Sequence, residues 1–86
     1  MSKNQIAKLT QELAYQEEAT KDKDRPNPAR DQHAKAKTLI KLGQFTNDKS
    51  YYQQAIECLA QAIKLDPQNA QYLVSRSKVY TTIQEW

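Results

Sequence analysis

TLIKLGQFTNDKSYYQQAIECLAQAIKLDP, residues 38–67, decides how the chain folds. Its apolar residues recur at helical spacing on both sides of a short polar cluster. Before the cluster, Leu39, Ile40 and Gly43 continue a stripe begun by Ala36. After it, Tyr52, Ala55, Ile56, Leu59, Ala62 and Ile63 form a second stripe. Asp48 to Ser50 reads as a tight turn between two helices, and Asp66-Pro67 ends the second, because proline disfavours helical geometry in the residue before it.

Working outward, Arg25-Pro26-Asn27-Pro28 breaks the chain upstream, and Asn27 caps a helix whose first position is Pro28, where a missing N–H costs nothing. That helix runs to about Asn47. Downstream, Asn69 caps a further helix in which Tyr72, Leu73, Arg76, Val79, Tyr80 and Ile83 keep the period. At the start, Ser2 and Gln5 stand at capping-box spacing before Ile6, Leu9 and Leu13, and the pattern fades into the charged run Glu17 to Asp24. The expectation is all-α, with four antiparallel helices and no competing strand signal. Residues 1–24 form an N-terminal amphipathic helix, 25–28 a proline-containing linker, and 28–86 the remaining three helices.

Composition limits function. In 86 residues, 38% hydrophobic with a mean hydropathy of -0.94, little apolar surface is available to enclose a deep cavity. No apolar run is long enough for a membrane span and Met1 is followed by polar residues, so membrane insertion and secretion are not expected. The single cysteine, Cys58, excludes an intrachain disulfide and suits the reducing cytoplasm or nucleus. Cys58 and His33 are the only such pair, and Cys58 falls on the packing side of its helix, so catalysis and zinc binding are not expected. With one glycine there is no phosphate-cradling loop, and no cofactor is expected.

Sliding the sequence on itself by about 34 residues brings like residues into register, a spacing typical of helix-pair repeats. Ala36 meets Ala70, Leu39 meets Leu73, Ile40 meets Val74, Gly43 meets Ser77, Phe45 meets Val79 and Tyr52 meets Trp86. Leu39, Leu42-Gly43, Tyr52, Ala55, Leu59, Ala62 and Pro67 resemble the pattern of the tetratricopeptide repeats, and Leu73, Ser77 and Tyr80 begin a second copy. Thr46 departs from it where an aromatic is usual, with Phe45 beside it. The resemblance covers about residues 36–86: one repeat at 36–69 and a truncated one at 70–86, a solenoid fragment with an extra N-terminal helix.

The resemblance implies a scaffold or adaptor that binds protein, with a concave groove lined by the first helix of each pair. That surface comprises Lys37, Ile40, Lys41, Gln44, Gln71, Val74, Ser75 and Lys78. Helix geometry independently places Arg30, His33, Lys37, Lys41 and Gln44 in one stripe beside the apolar face. A basic groove of this kind would hold a peptide or helix with an acidic segment. Ser75-Arg76-Ser77 with Tyr80 also resembles the segment by which co-chaperone members of the family clamp a carboxylate. Here Ser75 stands in place of their Asn, while Ile40 and Gln44 fill their Lys and Asn sites. A second copy that stops after its first helix is expected to leave Tyr80, Ile83 and Trp86 uncovered, either as a fragment of a longer repeat protein or as an assembly surface over which another copy or partner packs. A self-associating subunit is the alternative. The pI near 9.0 raises nucleic acid as a further partner class, against which Glu12, Glu17, Glu18 and Asp31 interrupt the basic surface.

Overall fold

The structure, a computed structural model, describes residues 3–85, and among these every regular element is a helix: α1 (Lys3–Lys21), α2 (Pro28–Thr46), α3 (Lys49–Leu65) and α4 (Ala70–Gln84). The all-α expectation of four helices is met. Ser2 of the expected capping box and Trp86 of the expected assembly surface lie outside the described residues.

The helix boundaries follow from local chemistry. Asn27 Oδ1 accepts from the Arg30 N–H at 3.1 Å with Pro28 at the first position, and Asn69 Oδ1 accepts from the Gln71 N–H at 3.0 Å. Each satisfies an N–H that the helix itself leaves unpaired, which typically stabilises by ~1 kcal/mol. Asp48 caps α3 in the same way, accepting from Ser50 N–H at 2.9 Å, so the helix begins at Lys49 inside the stretch expected to be a turn. α2 ends where Asn47 turns left-handed (φ 60°, ψ 29°) and its N–H reaches Gly43 O at 2.9 Å. Asparagine tolerates that conformation better than most residues.

Helices pack in chain order: α1 on α2, α2 on α3 across the largest interface, and α3 on α4. The radius of gyration, 12.8 Å with extents of 35 × 28 × 16 Å, exceeds the roughly 12 Å of a compact chain this long, consistent with a row of helices. The main core joins Ala36, Leu39, Tyr52, Ala55, Cys58, Leu59 and Val79, with Leu13 of α1 packed against it. Leu39, Leu42 and Leu59 are fully buried, each contributing about 1.5–3 kcal/mol by leaving water. Ala29 of α2, Ala62 of α3 and Tyr72 of α4 form a second cluster. Between α1 and α2, the Arg25 guanidinium donates from Nε to Asp31 Oδ2 at 3.0 Å and from Nη2 to Oδ1 at 2.9 Å. This two-pronged pair holds the intervening turn.

One expectation needs correction. Ile83 is half-buried and packs against the main core, so it is not fully uncovered, as was expected of the assembly surface. Ile40, expected on the buried face of α2, packs against the main core as a half-buried residue. In both cases the helical period identifies the stripe, while the neighbouring helix determines how much of it is covered.

Candidate functional site

An open groove of about 710 Å³ lies between α2 and α4, floored in part by Tyr52 of α3. α2 contributes Ile40 and Gln44 to it, and α4 contributes Leu73, Val74, Ser75 and Lys78 among others. Five residues selected from the repeat register therefore share one depression: Ile40, Gln44, Val74, Ser75 and Lys78. Val74 is 52% exposed and Leu73 41% exposed, so the groove offers apolar surface to solvent. Its other lining residues are mostly hydroxylated, including Ser77, Thr81 and Thr82.

The charge arrangement differs from the basic groove expected. Lys78 is the lone charged side chain among those lining this groove. Lys37 and Gln71 line a separate polar groove with Asn27, Arg30, His33, Asp66, Asn69 and Tyr72, and Lys41 is exposed and lines neither. Since α2 turns about 100° per residue, Lys37 and Lys41 share a face on one side of the row Ile40–Gln44.

The side chains between the two grooves were not assigned this role by the sequence. His33 Nε2 lies 3.2 Å from Ser75 Oγ, and the His33 ring sits 4.9 Å from that of Tyr72 with planes tilted by 55°. His33 is only 6% exposed, although helix geometry placed it in a stripe with solvated lysines. Burial, and secondarily Lys37, lowers its pKa below the ordinary 6.5. Histidine beside an apolar stripe is the one local signal of this contact; its partners both lie on α4, Ser75 being 42 residues away and Tyr72 one turn before it.

Leu73 and Tyr80 give α4 an exposed apolar strip, with Tyr80 48% exposed. The register pairs Leu73 with Leu39, which is fully buried under α3. Thus this pair of corresponding residues is covered on α2 and open on α4.

No metal-ligand set arises: among the described residues, no three His, Cys, Asp or Glu side chains come together to hold an ion. Cys58 lies buried in the main core, where desolvation pushes its thiol pKa up. Among the described residues no helix is long and apolar enough to cross a membrane.

No protein-family model matches the chain, and no curated protein or solved structure does so.

Proposed function

We propose that this chain is a non-catalytic protein-interaction module of tetratricopeptide-repeat type, which holds a peptide or helix of a partner protein in the groove between α2 and α4. The observation that carries this reading is the shared depression formed by Ile40, Gln44, Val74, Ser75 and Lys78, in which Ile40 and Val74, and Gln44 and Lys78, stand 34 positions apart in corresponding places on two helices. Supporting it, Gly43 admits the Tyr52 ring against the α2 backbone, as the small and aromatic positions of a repeating helix pair require. The short connections Asn47-Asp48 and 66–69 favour antiparallel neighbours. A buried thiol with a raised pKa makes a poor nucleophile, which favours binding over chemistry and suits a reducing cytoplasm or nucleus.

The partner segment is mainly apolar, fitting Ile40, Leu73 and Val74, with one carboxylate to meet Lys78. Selection from a displayed library of short random peptides tests this. Enrichment on the wild-type chain, lost on an equally helical Val74→Lys variant, supports the groove. Equal enrichment on both chains rejects it.

Self-association is the second reading, favoured by the exposed Leu73 and Tyr80. A concentration-dependent rise in mass by light scattering, abolished by Tyr80→Lys, distinguishes it from the first.

A further inference from the structure

The only histidine of the chain sits where α4 has few other anchors. α4 fully buries just Tyr72 and Val79, with Ile83 half-buried against the main core, and its contact with α3 is smaller than that between α2 and α3. His33 touches α4 twice, through Ser75 Oγ and the ring of Tyr72. Tyr72 in turn packs with Ala29 and Ala62, so the same contact draws together α2, α3 and α4. A helix held by few buried groups opens locally at low cost, and removing one tie shifts that opening measurably.

The charged surroundings oppose an imidazolium. The polar groove beside the ring carries Arg30 and Lys37 from α2 and Asp66 from the end of α3. α4 offers Gln71 and Tyr72 there, with no carboxylate, and α1 contributes no residue to that groove. Two cations against one carboxylate, around a side chain withdrawn from water, favour the neutral ring.

We propose that His33 is a proton-operated latch: neutral, it fastens α4 to α2 through Ser75 and Tyr72, and on taking a proton it becomes a buried cation beside Arg30 and Lys37 whose solvation requires α4 to loosen, removing the wall between the two grooves. The direction of its titration agrees. Because the folded-state value lies below the ordinary 6.5, the latch contributes fully above about 6.5 and is lost as pH falls through the lowered folded value. For one proton, the opening equilibrium changes by no more than about tenfold per pH unit. Ser75 also lines the apolar groove, so control of peptide binding by this latch rests on the groove reading, whereas the latch itself does not.

Hydrogen exchange of α4 amides in the full chain, followed by NMR between about pH 5 and 7.5 with the His33 imidazole resonance in the same samples, tests it. After correction for intrinsic exchange, the opening constant of α4 relative to α3 is expected to rise as pH falls from about 6.5 towards the folded-state value of His33 and to level off once the imidazole is protonated. His33→Gln, neutral at every pH, is expected to remove that dependence. An α4 opening constant that stays flat while the imidazole titrates overturns the latch, and the wild-type chain alone decides this if the variant does not fold. Peptide binding lost at low pH without α4 loosening overturns the latch and leaves the groove reading standing. Loosening in a chain that selects no peptide supports the latch and removes the groove reading.

Discussion

A Cβ placed on Gly43 would lie 2.9 Å from Cε2 of Tyr52 and 3.2 Å or less from two further atoms of the ring, so the α2 backbone runs directly against the tyrosine. Tyr52 is 3% exposed and has little room to withdraw. Overpacking costs about 1–3 kcal/mol, while alanine returns about 1 kcal/mol of helix propensity. Packing therefore wins. Gly43→Ala is expected to lower the urea midpoint, and the same substitution in a Tyr52→Leu background is expected to raise it. A Gly43→Ala chain as stable as wild type would show that the close approach is not maintained.

Leu39 and Leu73 correspond in sequence but differ in cover, Leu39 being fully buried and Leu73 41% exposed. Leu39→Ala is expected to cost about 2–5 kcal/mol, a large share of the stability of a small domain. Leu73→Ala should cost under about 1 kcal/mol, as partly exposed sites do. Equal losses in thermal or urea denaturation would mean that α4 is covered in solution, by a second copy or otherwise.

Asp31 is held below its ordinary carboxylate pKa, first by the hydrogen bond from Arg25 and also by that charge. Its folded-state value is depressed, so the stabilisation is present above the ordinary 3.8 and is lost as pH falls through the lowered value. Acid unfolding followed by circular dichroism should show a shallower decline for Asp31→Asn than for wild type below about pH 4. Identical acid limbs would mean that the Arg25–Asp31 pair does not persist in solution.

Helix count, the asparagine caps and the residues of the main core are legible in the sequence because their causes are local. Asn27-Pro28 and Asp66-Pro67 announce boundaries by themselves, and Ala55, Leu59 and Ala62 follow one period. Asp48 is less legible, since Asp-Lys-Ser is equally good chemistry for a turn and for a cap. Of the candidate site, the register selects five residues that line the apolar groove, but not Leu73, Ser77 or the threonines beside them, nor their separation from Lys37 and Gln71. That separation comes from His33 and Ser75, whose meeting depends on how α4 lies across α2. Ile83 illustrates the same limit: periodicity puts it on the apolar stripe of α4, and only the packing of that stripe covers Ile83 while leaving Tyr80 exposed.

The most direct measurement is a ¹H–¹⁵N chemical-shift titration of the labelled chain with a peptide selected on it. Saturable shifts concentrated at Ile40, Gln44, Val74, Ser75 and Lys78, abolished by Val74→Lys, are expected. Shifts centred on α1, or on Lys41 with the groove undisturbed, would contradict peptide binding between α2 and α4.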